Sequence, residues 1–258
     1  MHHHLPNLKI VPIKNLLLHE MYDDKRVLRL KKEISKSGIL INPPIVARIN
    51  KTKIFVVLDG ANRVTCMRSL GYSNIVVQVV NYLDQNQVQL EKWDHLICNL
   101  SNQYKSSILN IIKNSEFVKI KKDRNILIKK IKKEKLKEQL EFINNLFKQY
   151  KDKEFYRVMG KDIQEFQGKY KNIDFLIIYP KLKPEDIINI TKNNLKVPSG
   201  ITRHIIQNRA IGIDIDLNIL KSSKFLVEKN KYLKQLINKR LGEHKIRYYK
   251  EPITIFND

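Results

Sequence analysis

Cysteine is nearly missing from this chain: Cys66 and Cys98 are the only two among 258 residues, with no metal-ligand spacing around either. A disulfide framework and a structural zinc site are therefore not expected. Long apolar runs are also lacking, since no segment approaches the roughly 20 residues needed to cross a bilayer. The opening Met1-His2-His3-His4-Leu5 has no signal-peptide core, so a cytoplasmic location is the expectation. Three adjacent histidines on a chain end make a poor metal site, and none is assigned to them. No internal repeat is visible, and Trp93 is the sole tryptophan. Acids are scarce, with 26 Asp+Glu against 49 Lys+Arg, giving a formal net charge of +23. Such a field draws polyanions, which brings nucleotides, nucleic acid and anionic surfaces into consideration.

What is present is apolar residue in quantity, 42% of the chain, enough for a substantial core in one or two domains. The lysines are spread over nearly the whole length. Their densest run, Lys119 to Lys137, also carries Ile120, Ile128, Ile131 and Leu136, continuing into Leu140, Ile143 and Phe147. That spacing predicts an amphipathic helix with a lysine-rich solvent face, ahead of a DNA contact.

The pattern along the chain mixes strands and helices. Leu8 to Ile13 predicts a short strand, and Leu16 to Glu20 a connection ending on an acid. Asp24 to Ser37 places Val27, Leu30 and Ile34 on one face of a helix that Gly38 stops. Asn42-Pro43-Pro44 breaks the chain before a hairpin of Ile45–Ile49 and Ile54–Leu58. A helix from Asn62 to Leu70 ends at Gly71, and the β-branched run Asn74 to Tyr82 predicts a buried strand. From about Asp84 to Tyr170 strand signals are lacking and the expectation is mainly helical. Phe175 to Pro180 is apolar, a helix follows around Pro184 to Thr191, and Ala210 to Ile215 predicts a strand. An amphipathic helix through Leu226, Leu233, Ile237 and Leu241 and a last strand near Ile246 to Phe256 complete the expectation.

The hairpin delivers the most informative stretch, Asp59-Gly60-Ala61-Asn62-Arg63, to the point where a strand stops and a helix begins. Free N–H groups at a helix start and the helix dipole attract anions, and glycine lets the main chain approach a ligand closely. Arg63 adds a forked, permanently charged partner for phosphate oxygens. Asp-Gly is equally a common turn pair, and Asp or Asn before a helix is most often an N-cap. On spacing alone both readings stand. A second polar box, Val197-Pro198-Ser199-Gly200-Ile201-Thr202-Arg203-His204, offers hydroxyl, guanidinium and imidazole groups together, suited to a carboxylate or phosphate or to a polar strand edge.

The order Val11-Pro12, Leu18-His19-Glu20, Asp59 to Arg63, Trp93 and Val197 to Arg203 resembles the free L-serine kinases of the ParB/sulfiredoxin fold, most of all those serving siderophore biosynthesis. The resemblance covers nearly the whole chain and is weakest in the middle. It implies an α+β fold, with a ParB/sulfiredoxin-like nucleotide-binding domain over residues 1–100, a helical middle and a mixed α/β C-terminal part over residues 101–258 completing the serine site. It implies transfer of a phosphoryl group from ATP, or from ADP, to L-serine with Mg²⁺. Carried over residue by residue, Glu20 is the general base, and Asp59 is the second acid, orienting the nucleophile or holding Mg²⁺. Gly60, Ala61, Asn62, Arg63 and Thr65 cradle the nucleotide phosphates. Trp93 walls the serine pocket while Thr202, Arg203 and His204 grip carboxylate or phosphate.

Asn62 departs from the pattern, since family members often carry histidine there. The same fold hosts other functions. A sulfiredoxin needs a cysteine in its phosphate box, where this chain has Ala61 and Asn62, with Cys66 a turn into the helix. A ParB-like DNA-binding nucleotide switch is the alternative that the +23 charge favours. Against it, Asn62 replaces the second arginine of that class, and no helix-turn-helix pattern follows residue 100. Nucleic acid is therefore a secondary partner, reached through the lysine-rich helix if at all.

Overall fold

The computed structural model describes residues 5–113, 118–121, 125–128, 136–159 and 163–249. The N-terminal part follows its sequence pattern closely. Strands β1 (Leu8–Pro12) and β2 (Leu16–Leu18) lead to helix α1 (Asp24–Ser37), then β3 (Ile39–Leu40), β4 (Ile45–Arg48), β5 (Phe55–Asp59), α2 (Ala61–Ser69) and β6 (Asn74–Val80). Helix α1 forms where it does because both ends are capped. The Asp23 carboxylate accepts the Arg26 N–H at one end, and Gly38 takes the left-handed turn, φ 68°, at the other. Val27 and Ile34, two turns apart, bury one face, with Leu30 packed beside them.

Five of these strands make a mixed sheet in the order β1-β6-β4-β5-β2. It is apolar on both faces because both are covered. Alternate residues of β5 divide between two cores: Phe55 and Val57 pack with α1 and α2, and Val56 and Leu58 face the opposite side. The segment Leu16–Leu18, expected as a connection, is the edge strand of this sheet, parallel to β5.

The middle of the chain departs from expectation. It contains β7 (Val88–Lys92), β8 (Asp94–Cys98), α3 (Asn102–Lys113), β9 (Val118–Lys121), β10 (Asn125–Ile128), α4 (Leu136–Lys148) and β11 (Phe155–Val158). Five strands thus stand where a mainly helical stretch was expected. The lysine-rich helix from Lys119 is also corrected: β9 and β10 pair antiparallel with Asn125 opposite Lys121, and the helix among the described residues is α4, Leu136–Lys148. Short runs of alternating lysine and isoleucine suit a two-residue period as well as a helical one, and pairing decides between them. With β12 (Ile173–Ile178), strands β8 to β11 form a second sheet, β11-β8-β12-β10-β9.

Helix α5 (Pro184–Lys192) forms as expected, and β13 (Thr202–Ile206) pairs with β7. The strand expected over Ala210 to Ile215 shrinks to β14 (Ile215–Asp216), because Gly212 and Asp214 take left-handed φ values of 65° and 46°. Helices α6 (Leu217–Lys221) and α7 (Leu226–Gly242) close the described fold, and Leu217, Leu220 and Leu233 enter the core under the first sheet. Asn230 of α7 acts as a strand substitute at the sheet edge. Its amide donates to the Ile10 carbonyl and accepts the Ile10 N–H, both at 2.9 Å. Of the last expected strand, residues 246–249 are not strand, and the remainder lies outside the described residues. No helix among the described residues is long and apolar enough to cross a membrane.

Candidate active site

The register of the first sheet brings two acids together. β2 and β5 run parallel with Leu16 opposite Phe55 and Leu18 opposite Val57, so two residues further along Glu20 arrives beside Asp59. Asp59 is the last residue of β5 and Glu20 lies just past the end of β2, both at the carboxyl ends where open sheets leave room for ligands. Glu20 is then bridged to Val197: the Val197 N–H donates to the His19 carbonyl and the Met21 N–H to the Val197 carbonyl, each at 2.9 Å. That bridge delivers the second polar box to the first.

The two acids are driven apart electrostatically. Burial pushes the Glu20 carboxyl up to about 7. The Gly200 N–H, 3.4 Å from Oε2, opposes that rise, the charge of Asp59 adds to it, and Arg157, with any hydrogen the Thr202 hydroxyl turns to Oε2, opposes it. Burial also works to raise Asp59, but two guanidiniums outweigh it and hold the carboxyl below its ordinary value. Arg63 Nη2 donates to Asp59 Oδ2 at 2.7 Å, and Arg209 Nη2 donates to the same oxygen. One acid is thus matched to proton transfer near neutrality while the other is a fixed anion.

The turn after Asp59 is occupied largely in holding loops. Arg63 Nη1 donates to the carbonyls of Asn42 and Pro43 at 2.9 and 3.1 Å, so its guanidinium is spread over three acceptors. Gly60, at φ 94°, packs so closely that a Cβ would lie 3.0 Å from Arg63 Nη2 and from Pro44 Cβ. Ala61 is buried. Asn62 Oδ1 accepts the Asp23 N–H at 2.8 Å, tying the start of α2 to the N-cap of α1. The Thr65 hydroxyl is buried without a hydrogen-bond partner among the described residues. For an anion the turn offers chiefly its main chain, since the first N–H groups of α2 have no acceptor within the helix.

The second box is split by strand alternation. In β13, Thr202 and His204 share a face: Thr202 Oγ1 lies 2.9 Å from His19 Nε2 and 3.5 Å from Glu20 Oε2, and His204 Nε2 lies 2.7 Å from the Tyr82 hydroxyl. The His19 and His204 rings meet edge-on at 5.3 Å. Burial drives both imidazoles down, to about 4 and about 3, so both are neutral near pH 7. Arg203 faces the other way, its guanidinium 4.5 Å above the Trp93 ring and against Met159 Sδ. The Trp93 N–H donates to the Ile201 carbonyl at 2.8 Å.

Several residues of the site carry no motif. Arg157 of β11 crosses Gly200 so tightly that a Cβ there would lie 2.1 Å from its Nε. Arg209 is aimed by Gln78, whose buried amide donates to the Asn208 carbonyl at 2.6 Å and accepts the Ala210 N–H at 2.8 Å. A lone glutamine inside the apolar run Asn74–Val80 was the available signal. Below Gly200 lies buried His95. Its Nε2 is 3.1 Å from the Gly200 carbonyl and its Nδ1 is 2.8 Å from the Tyr150 hydroxyl, which bonds in turn to Tyr179. No group of three or more His, Cys, Asp or Glu suited to a metal ion occurs among the described residues.

No protein-family model matches the chain. Among curated relatives, the ATP-dependent L-serine kinase SbnI of Staphylococcus aureus is 27% identical over 97 residues, 38% of this chain and 37% of that protein. The chain therefore spans just over a third of that relative's length in sequence. An ATP-dependent L-serine kinase of Staphylothermus marinus is 25% identical over 218 residues, 76% of this chain and 84% of its own. Among solved structures, C-terminally truncated SbnI from Staphylococcus aureus superposes with a TM-score of 0.71 at 20% identity, over 91% of this chain and 97% of that one. The chain has the fold of the free serine kinases. A structure described as a free serine kinase in complex with AMP agrees, with a TM-score of 0.66 at 16% identity over 85% and 98% of the two chains. The α+β fold implied by the motifs is thus the fold found, with a middle richer in strands than expected.

Proposed function

We propose that this chain is an ATP-dependent kinase of free L-serine, forming O-phospho-L-serine and ADP. The observation that carries the reading is Glu20: a carboxyl pushed up to about 7, at the end of a strand, beside an acid that stays ionised. Relatives named ATP-dependent L-serine kinase, and a structural neighbour solved with AMP, support the substrate pair. Glu20 takes the serine hydroxyl proton as that oxygen bonds to the γ-phosphorus, and the bond from phosphorus to the bridging oxygen breaks as ADP leaves. Such a transition state needs alignment and charge neutralisation more than covalent help.

Asp59 keeps the nucleophile and the surrounding guanidiniums in place. The main-chain N–H groups of Gly60, Ala61 and Asn62 face the nucleotide phosphates, with Arg157 and Arg209 as the nearby cations and Thr65 behind the first turn. Arg63 serves the phosphates indirectly, by fixing Asp59 and the 42–44 loop. Thr202 and His204 line the serine side next to Glu20, whereas Arg203, turned to the other face of β13 against Trp93, stands apart from it. Mg²⁺ belongs to the reading as the counter-ion of ATP. The donor set offers it no ready cage, since Asp59 is engaged by two guanidiniums, and no step is assigned to it. In this reading residues 1–100 are the nucleotide-binding unit and residues 101–258 complete the serine side, working in the cytoplasm to supply phosphoserine to siderophore or amino-acid biosynthesis.

Purified protein with ATP, Mg²⁺ and L-serine should yield O-phosphoserine by ³¹P NMR and mass spectrometry. Glu20→Gln should lower kcat by about 10²–10⁴-fold with an unchanged circular dichroism spectrum. Absence of a phosphorylated product with any of the twenty amino acids would sink the proposal.

A further inference from the structure

The direction of a hydrogen bond follows from chemistry wherever one end can only accept. The Val57 carbonyl can only accept, so the His19 nitrogen 2.7 Å from it, Nδ1, carries the ring hydrogen. His19 is completely buried, and burial holds its imidazole down to about 4, so the ring is neutral near pH 7 and Nε2 offers only a lone pair. The Thr202 hydroxyl has two acceptors within reach, Nε2 at 2.9 Å and Glu20 Oε2 at 3.5 Å, and its hydrogen goes to the shorter contact, Nε2. A hydroxyl has one hydrogen. With it committed to His19, Thr202 turns lone pairs toward Glu20 Oε2 at 3.5 Å.

We propose that His19 is a positioning residue: by claiming the Thr202 hydroxyl hydrogen it makes Thr202 an acceptor toward Glu20, favouring the protonated acid over the carboxylate. Its meaning for catalysis rests on the reading of Glu20 as the base, but the arrangement itself does not. Lone pairs facing an ionised carboxylate repel it, whereas a protonated carboxyl can donate to them. The device therefore strengthens Glu20 as a proton acceptor. The other groups that face Glu20 are Asp59 from β5, Arg157 from β11 and the Gly200 N–H. Arg63 and Arg209 act through Asp59, and Asp23 and Arg26 lie near Arg157. None of these is bonded to His19, so altering the imidazole isolates its contribution.

The experiment uses the whole protein in two labelled forms. ¹⁵N-histidine spectra should show His19 as the Nδ1–H tautomer, and a ring protonated at Nε2 would overturn the proposal. Titration of ¹³C-carboxyl-labelled glutamate should find that His19→Leu lowers the Glu20 midpoint by about one to two pH units, as the freed Thr202 hydroxyl donates to the carboxylate. In a Thr202→Val background the same substitution should leave the midpoint in place, because no hydroxyl remains to be released. His19→Gln, which keeps both a donor for Val57 and an acceptor for Thr202, should stay near the unaltered protein. An equal fall in both backgrounds would mean that water entering the site is the cause, and would refute the mechanism. The tautomer is read on the unaltered chain, so the proposal stays falsifiable even if His19→Leu fails to fold. Neither readout depends on turnover, so a protein inactive toward serine would refute the kinase reading and leave the His19–Thr202–Glu20 arrangement standing or falling by itself.

Discussion

Replacing Glu20 by glutamine should change how stability depends on pH, in a direction fixed by the site. The folded protein raises this carboxyl from 4.5 to about 7. Below pH 4.5 the acid is protonated folded or unfolded, and pH has no leverage through it. Between 4.5 and about 7 the folded state holds a proton that the unfolded state has released, so each unit of rising pH costs about 1.4 kcal/mol. Above about 7 both states are ionised and the loss is complete, at about 2–3 kcal/mol after allowance for the solvent-facing edge of Glu20. Glutamine is neutral throughout and escapes this loss. Other groups titrate over the same range, so the quantity to measure is the difference between the two proteins in urea unfolding at pH 5, 6, 7 and 8. Glu20→Gln should gain steadily on the unaltered chain up to about pH 7 and then hold its advantage. Parallel stability curves across that range would refute a raised Glu20 and with it the argument for a base poised near neutrality.

Three further outcomes follow from the geometry. Arg209→Met removes one of the two guanidiniums on Asp59 Oδ2, so the Asp59 midpoint should rise by ¹³C NMR and kcat for serine should fall on the order of 10²-fold, as for a misplaced group. An unmoved Asp59 midpoint would remove Arg209 from the site. Gly200→Ala puts a Cβ 2.1 Å from Arg157 Nε at a residue with φ 77°, and should cost about 1–3 kcal/mol in thermal unfolding. Pairing it with Arg157→Ala should recover the steric part, and no recovery would place the strain in the backbone alone. Tyr150→Phe deletes the hydroxyl that donates to His95 Nδ1 and should destabilise by about 1–3 kcal/mol in urea, whereas an unchanged midpoint would show the buried chain to be dispensable.

The sequence revealed most where structure is local. Helix α1 was legible because Asp23, Val27, Leu30, Ile34 and Gly38 encode its start, its buried face and its stop within one segment. The hairpin that carries Asp59 was legible for the same reason. Strand β8 was not, because all five of its residues, Asp94 to Cys98, are buried on both faces of a central strand and show no alternation. The candidate site divides along the same line. Glu20, Asp59 and the 202–204 box could be named, since each sits in a recognisable string. Arg157, Arg209 and Gln78 could not, because their roles come from pairing between segments remote in sequence. Nor could the split of the box be anticipated: only pairing with β7 fixes which face of β13 each of its side chains takes.

Asn62 shows what the turn after Asp59 requires. The phosphate reading gave its side chain a ligand role, and by that measure asparagine in place of the histidine common among free serine kinases looked like a loss of proton chemistry. The structure gives it another task, since its Oδ1 accepts the Asp23 N–H and so fastens the α1 N-cap, three residues beyond Glu20, to the first turn beyond Asp59. That task needs an acceptor of the right reach, which an amide oxygen and an unprotonated ring nitrogen both provide. Arg63 binds the 42–44 loop and Asp59 in the same way, and Gly60 lets those groups close up. The side chains of this turn therefore fix the relation between the two acids, while its main-chain N–H groups are left to meet an anion. Exchange of asparagine for histidine at position 62 is compatible with the proposed chemistry, in which the proton it would forgo is carried by Glu20.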